Sequence, residues 1–425
     1  MSAPLVQVVP RRLEPILDQL VGEEPVIALH GPRSVGKSTL LRALAKARGV
    51  AVVDLDEPSV REAATANPRL AVGGPGLACI DEYQHVPLLL DALKARLNVN
   101  GSAPGTAVLT GSTRQDAIPR TAQALTGRLH LMTIWPLSQG EIGGVREDMV
   151  EALRDDPAAL VGRHPRSDTR RSDYVARICA GGMPLALQRP GPSRDRWFDG
   201  YVTQSVERDA AELGQIHQRQ LLRSLLGWLA GRTGQLAMIS KVADVLGGNR
   251  TTLESYTRLL EDLFLVERLP AWGKTLRART VATPKVHVID SGVAARLLRL
   301  TPAKLSTLDA TARSEFGSLL ETFVVGELRK QISWLDEQVT VGHWRTHDGD
   351  EVDFVIEFDD GRVLGFEVKS AERVSGDDFR GLRKMRDALG ERFIAGVTLN
   401  LGLWSYPYED RLHVMPVDRL WSPSS

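Results

Sequence analysis

The chain has 425 residues, 43% hydrophobic and 25% charged, long enough for roughly two to four domains with cores of their own. Lys plus Arg and Asp plus Glu number 53 each, so no overall basic field marks a nucleic-acid binder, and any such contact must come from a local patch. Two cysteines, Cys79 and Cys179, exclude a disulfide framework and a thiolate metal site, and the lack of a signal-peptide core or of ~20 successive apolar residues leads us to expect a soluble cytoplasmic protein with no membrane partner.

The first informative element is the apolar run Val26-Ile27-Ala28-Leu29-His30, which reads as a buried strand. It runs into Gly31-Pro32-Arg33-Ser34-Val35-Gly36-Lys37-Ser38-Thr39, and a leucine-rich helical pattern follows to Lys46. This is the phosphate-cradling pattern G-x-x-x-x-G-K-[ST] between a strand and a helix. Gly31 and Gly36 let successive N–H groups point at phosphate oxygens, where the helix dipole adds positive potential. Lys37 would neutralise the β- and γ-phosphates of ATP, and Ser38 would offer its hydroxyl to Mg²⁺.

A strand over Val50 to Leu55 comes next, then Leu77-Ala78-Cys79-Ile80-Asp81-Glu82, an apolar strand ending in two carboxylates. At that place Asp81 would position Mg²⁺ and Glu82 would polarise the attacking water. A further strand, Thr106 to Thr110, ends in Gly111-Ser112-Thr113. Ser112 is the candidate γ-phosphate sensor, with Thr110 second. Arg128, just before a strand over Leu129 to Ile134, is the candidate arginine finger, in cis or in trans, weighed against an ordinary surface arginine.

Gly144 to Asp173 is polar and arginine-rich, with Pro157 and Pro165, and is expected to be a mobile excursion. Helical spacing then runs from Tyr174 to Leu265. Within it, Ile239 to Leu246, the break Gly247-Gly248 and Arg250 to Phe264 form two short helices and a turn, and Leu265 to Leu269 would start a wing. A winged helix-turn-helix of this kind would present Asn249, Arg250, Thr251, Thr252 and Ser255 to DNA; the acids Glu254, Glu261 and Asp262 on the same helix favour a packing role equally.

In the last third, Glu351 to Glu357 alternates apolar and acidic residues, and a turn at Asp359-Asp360-Gly361-Arg362 leads into Val363 to Val368 and Lys369. Glu367 and Lys369 are two apart on one strand and share a face, and the hairpin can bring Asp353 beside them. His343 and His347 lack the helix that a paired-histidine zinc site needs. Trp344 and Trp404 read as core or edge aromatics.

GPRSVGKSTLLRAL, VVDLDEP, LACIDEYQHVP, LTGSTR, LTGRL and WPLSQGE, followed by Gly181-Gly182-Met183-Pro184, YVTQSVERD, KVHVIDSGVAARLL, GDEVDFVIE and GFEVKS, resemble in their order bacterial and archaeal AAA+-type ATPases with a poorly characterised C-terminal domain. The resemblance covers nearly the whole chain and implies ATP binding. It departs in lacking an obvious lid arginine after residue 140. The C-terminal residues are similar to the PD-(D/E)XK nucleases, in the variant of archaeal junction-resolving enzymes. That likeness implies a metal site of Asp353 and Glu367 for Mg²⁺ or Mn²⁺, a catalytic Lys369, and a further acid, Glu321, from the helix Glu315 to Gln331.

The expected fold is therefore α/β: a P-loop AAA+-type ATPase core over 1–143, a polar excursion and helical lid over 144–214, a winged-helix module and connector over 215–310, and an α/β nuclease-like domain over 311–425. The expected work is ATP-coupled action on nucleic acid, DNA first, with metal-dependent cleavage open and homo-oligomerisation unspecified. The rival reading is a nucleotide-dependent switch or scaffold that recruits a protein partner and never cuts.

Overall fold

The computed structural model describes residues 8–74, 76–114, 125–163, 166–210, 218–273, 283–307 and 309–422. The first sheet contains β1 (Val26–His30), β2 (Val52–Asp54), β3 (Ala78–Asp81), β4 (Ala107–Gly111) and β5 (Leu129–Thr133) in the order β2-β3-β4-β1-β5, all parallel. A central parallel strand is covered on both faces and so reads as continuously apolar, which is why β1 and β4 are buried along their whole length. Alternate residues of β1 feed opposite faces: Ile27 and Leu29 pack with Leu40, Leu41 and Leu44 of the helix Lys37–Arg48, and Val26 and Ala28 with Leu89 and Leu93. Because the strands are parallel, the ends of β1, β3 and β4 that carry Gly31, Asp81 and Thr110 lie at one edge of the sheet.

Residues 144–173 differ from expectation. They form the helices Met149–Asp155 and Pro157–Arg163, and Met149, Val150, Leu153, Leu160 and Val161 are buried in the main core. The proline and arginine content hid an apolar stripe at helical spacing. Beyond Arg163 the chain is tied to the C-terminal region: Ser167 N–H donates to Leu403 O at 2.7 Å, and the Ser167 and Thr169 hydroxyls donate to Asp418 at 2.5 and 2.7 Å.

The middle of the chain contains the helix Arg219–Ala230, β6 (Gln235–Leu236), the helices Ile239–Leu246 and Arg250–Asp262, β7 (Val266–Leu269) and β8 (Lys285–Val288). The three strands make an antiparallel sheet with β8 between β6 and β7. A long helix, Ala310–Ile332, leads to a six-stranded mixed sheet of β9 (Val339–Arg345), β10 (Glu351–Phe358), β11 (Val363–Val368), β12 (Phe393–Asn400), β13 (Tyr406–Glu409) and β14 (Leu412–Pro416), ordered β13-β14-β12-β11-β10-β9. The hairpin β10–β11 has Phe354 opposite Phe366, and Gly361 supplies the positive φ of its turn. β11 and β12 are parallel and joined through the helix Arg380–Leu389.

One hydrophobic core runs from Met149 to Trp421 through the helical, three-stranded and six-stranded parts. The expected units after residue 143 are thus packed as one body beside the five-stranded sheet. Because Leu153 is fully buried in that body, Leu153→Ala should cost about 2 to 5 kcal/mol in urea unfolding; a loss below about 0.5 kcal/mol, the range of surface substitutions, would return the segment to a loosely attached excursion.

Candidate functional site

The nucleotide loop is held in the conformation its glycines allow. Gly31 has φ +152° and a Cβ there would lie 2.2 Å from the Ile134 carbonyl, and Gly36 has φ +104°. Lys37 is 4% exposed, and its ammonium donates to the Gly31 and Pro32 carbonyls at 2.9 and 2.8 Å. Burial pushes the Lys37 ammonium down to about 8, against the raising pull of Glu82 and Asp81. Ser38 Oγ donates to Asp81 Oδ1 at 3.0 Å, and Thr110 Oγ1 donates to the same oxygen. Thr110 Oγ1 also accepts from the Glu82 N–H at 3.1 Å.

Glu82 takes the left-handed conformation at φ 55°, and its carboxylate accepts from Gln84 Nε2, which reaches Ser112 Oγ at 3.1 Å. The structure therefore brings Ser38, Asp81, Glu82, Thr110 and Ser112 into one network. Gln84 is a member that sequence reasoning missed; its position two residues after Glu82 was the available signal. Ser38 and Asp81 present hard oxygen donors side by side, the chemistry Mg²⁺ prefers.

A cavity of about 390 Å³ opens beside the loop, lined by Ser34 to Leu40, Glu82, Arg11, Leu137, Pro184 and Leu185 among others. Arg11 was not foreseen. It donates to Glu141 at 2.9 Å, to the Val35 carbonyl at 3.0 Å and to the Trp135 carbonyl at 2.7 Å, and so braces the loop. Pro184 and Leu185 follow Gly181-Gly182, whose tight fit explains that motif. A Cβ on Gly181 would lie 2.3 Å from an Asp290 oxygen, and one on Gly182 2.4 Å from the Leu137 carbonyl. Asp290 accepts from the Gly182 N–H at 2.7 Å and caps the helix Ser291–Leu297 through the Val293 N–H at 2.9 Å.

Arg128 is not at this site. β5 pairs with β1 so that Leu129 lies opposite Val26, at the end of the sheet away from the loop, and Arg128 donates to Asn98 at 2.7 Å. Five residue steps, about 16 Å, separate it along the strands from Thr133 and His30 at the loop edge, so it does not act on the nucleotide of its own chain. Strand order, which a single sequence does not show, decides this.

The second cluster lies where β8 meets the C-terminal sheet. Asp353 and Glu367 come together as expected, one step beyond the Phe354–Phe366 pair, and Lys369 donates to Glu367 at 2.7 Å. Asp353 accepts from the Val368 N–H at 2.9 Å. Glu321 arrives from the helix Ala310–Ile332. Between them stands Lys285, 1% exposed, with its ammonium 2.8 Å from Asp353, 2.9 Å from Glu321 and 2.5 Å from Glu351.

Burial works against a charged Lys285, yet Asp353, Glu321 and Glu351 hold its pKa well above the ordinary value. Burial also pushes Asp353 up, but the Lys285 charge and the Val368 N–H outweigh it and keep that carboxyl low. Glu321 rises to about 8 through burial and the neighbouring Asp353 charge. Burial, then Asp353, raises Glu367, whose Oε2 has no partner among the described residues.

The position where Asp353 and Glu321 would converge on a divalent cation is thus held by an ammonium. Among the described residues no group of three or more His, Cys, Asp or Glu side chains is arranged to hold a metal ion. The Mg²⁺ or Mn²⁺ expected at Asp353, Glu367 and Glu321 does not fit this arrangement. The sequence held Lys285 in plain view, but only the packing of β8 onto the sheet reveals its role.

Comparison with known proteins falls into segments. Residues 23–143 match the family model described as an AAA domain, residues 171–304 a domain of unknown function (DUF8612) and residues 316–420 another (DUF4143). An uncharacterized protein of Mycobacterium tuberculosis is 28% identical over 403 residues, covering 94% of this chain and 82% of its own length. One of Haemophilus influenzae is 25% identical over 222 residues, half of each chain. Among solved structures, the Walker-type ATPase of Pyrococcus abyssi aligns at 15% identity over 68% of this chain and 96% of its own, with a TM-score of 0.40. RuvB of Thermotoga maritima aligns at 15% over 61% and 89%, with a TM-score of 0.28. The AAA match and the loop geometry together support a P-loop ATPase-like nucleotide-binding function for residues 23–143.

The carboxylate cluster leaves a pH signature. Glu321 has a raised pKa in the folded chain, so the folded state binds more protons than the unfolded one between its ordinary value of 4.5 and about 8, and its contribution is lost as pH rises through that window. In thermal melts, Glu321→Gln should gain on the wild type steadily from pH 5 to pH 8.5. A difference that stays constant across that range would mean Glu321 is ionised throughout.

Proposed function

We propose that this protein hydrolyses ATP and uses the cycle to act on nucleic acid, DNA in the first instance. The observation that carries the ATPase reading is the network in which Ser38, Asp81, Thr110 and Glu82 meet beside the Gly31–Thr39 loop. Loop N–H groups and Lys37 would bind the phosphates, with Arg33 and Ser34 on the same loop. Mg²⁺, when bound at Ser38 and Asp81, supplies charge neutralisation at the phosphate oxygens. Glu82 would order and polarise the attacking water, its backbone fixed by Thr110 and its carboxylate by Gln84. Ser112, through its contact with Gln84, would register whether the γ-phosphate is present.

Support for nucleic acid comes from the module spanning residues 219–288. Its order of helix, strand, two helices and two strands supports the winged-helix reading. Asn249 caps the helix Arg250–Asp262 by accepting from Thr251 N–H at 2.8 Å, and Arg250, Thr251 and Ser255 are exposed while Thr252 is half-buried. Two of the three acids that weighed against DNA contact are engaged within the module: Glu254 and Glu261 both pair with Arg268 at 2.6 Å. Arg250 and Arg258 are exposed, with Arg258 3.7 Å from Glu254.

Cleavage by Asp353, Glu367 and Lys369 requires Lys285 to leave the carboxylates. The observed ion pairs favour the second reading for this region, a nuclease-like fold that does not cut and serves a nucleotide-dependent switch. An arginine finger from Arg128 is compatible only with a neighbouring subunit in a head-to-tail homo-oligomer.

The test is the ATPase rate of the full chain with and without DNA, beside a nuclease assay in Mg²⁺ and Mn²⁺. DNA should stimulate hydrolysis without being cut; an unchanged rate would leave an ATPase with another partner. Lys37→Ala should abolish hydrolysis, and Glu82→Gln should retain ATP binding while losing turnover by at least about a hundredfold, the scale of a lost general base. Undiminished turnover in Glu82→Gln would remove Glu82 from that role. Since Lys37 titrates near 8 before nucleotide arrives, ATP affinity should weaken between pH 7.5 and 9.5, by at most about tenfold per pH unit. Lys37→Met should weaken binding and flatten the profile.

A further inference from the structure

An open cleft of about 430 Å³ separates the three-stranded module from the edge of the C-terminal sheet. Trp228, Arg232 and Lys241 line one side, Arg345 of β9 and Glu351 of β10 the other, and Lys285 reaches it from below. Four cations thus face one carboxylate. Lys285 is matched by the acids around it, and Arg345 pairs with Glu351 at 3.1 Å. Arg232 and Lys241 have no carboxylate partner among the described residues, so the cleft carries unbalanced positive charge.

Its second feature is aromatic. The Arg232 guanidinium lies 4.0 Å from the centroid of the Trp228 ring, and the Trp228 indole N–H has no acceptor among the described residues. A guanidinium held over an indole face can form a platform on which a nucleobase stacks. Cations beside such a platform are the combination that holds single strands, whose bases are free to stack. The volume lies near the small end of ligand pockets, which run from about 300 to 1,000 Å³. It admits a nucleotide or two of a splayed strand and excludes a duplex.

We propose that this cleft binds a single-stranded nucleic-acid segment, with backbone phosphates on Arg232, Lys241 and Arg345 and a base on the Arg232–Trp228 stack. Lys285 has a defined part in this. Its single charge offsets part of that of Asp353, Glu321 and Glu351 and so weakens the repulsion of the phosphates by the carboxylates below the cleft. The inference rests on the nucleic-acid reading above and moves the principal contact from the helix Arg250–Asp262 to the cleft.

The experiment is fluorescence anisotropy of the full chain with a labelled oligothymidylate, a labelled oligouridylate and a labelled blunt duplex, over a salt series. The wild type should bind the single strands better than the duplex; DNA and RNA arms distinguish the source of the strand. The double variant Arg232→Glu/Lys241→Glu should weaken single-strand binding at least about tenfold and lower the salt slope by about 1.4, at roughly 0.7 for each phosphate no longer neutralised. Arg232→Lys/Lys241→Arg should keep most of the affinity, and Arg250→Glu should change it by less than about twofold. Unstimulated ATP hydrolysis and melting temperature should match the wild type in every variant, which certifies the fold.

If the wild type binds single strands while charge reversal leaves affinity and slope unchanged, the cleft assignment falls and the nucleic-acid reading stands. A large loss in Arg250→Glu alone would move the site to the helix. Better binding of the duplex would overturn the single-strand assignment. Binding of none of the probes would remove the nucleic-acid reading and the cleft with it.

Discussion

A single buried ammonium fixes how the C-terminal half is assembled. Lys285 belongs to the three-stranded sheet, while the carboxylates it joins belong to the helix Ala310–Ile332 and to β10. The ammonium donates to Glu321 and Asp353 and forms an ion pair with Glu351. Such a group is weak support for stability in itself, because desolvation consumes much of the attraction, but losing one partner strands charge in the interior at about 3 to 5 kcal/mol. The sheets are therefore held in one relative placement. Burial, with the Asp353 charge adding to it, raises Glu321 and Glu367, while Lys285 and the Val368 N–H hold Asp353 low against its own burial.

The strand that carries Lys285 also reaches toward the nucleotide cavity. β8 continues through Ile289 to Asp290, whose carboxylate holds the Gly182 N–H. Two residues on, Pro184 and Leu185 form part of the cavity wall. Gly181 and Gly182 leave no space for a side chain between that wall and Asp290. The cavity wall and the carboxylate cluster therefore contact opposite ends of one short strand.

Much of the ATPase was legible because its information is local. The glycine spacing of the loop, the apolar strand before it and the carboxylates closing β3 are written in consecutive residues, and the structure places Lys37, Ser38, Asp81 and Glu82 together. The hairpin bringing Asp353 to Glu367 was legible for the same reason, since a two-residue period and a Gly turn set its register. What escaped depends on pairings between distant segments. Lys285 and Asp290 gain their roles from neighbours far away in the chain, and Arg128 loses its expected role because β5 starts at the far end of the sheet. Residues 144–173 were misread because polar residues outnumber the apolar stripe that packs them.

The contact between the ATPase sheet and the rest of the chain has a different character from the core on either side. Gln139 N–H donates to Glu327 at 2.8 Å, Lys330 to the Leu137 carbonyl at 3.1 Å, and Arg114 to the Glu261 carbonyl at 3.0 Å. Interdigitated apolar side chains resist sliding because every displacement opens a void. Hydrogen bonds to carbonyls can be exchanged for others one step along, and polar boundaries of this kind favour relative motion. A seam built this way would let the nucleotide-binding domain shift by small amounts against the rest of the chain without opening a void in either core.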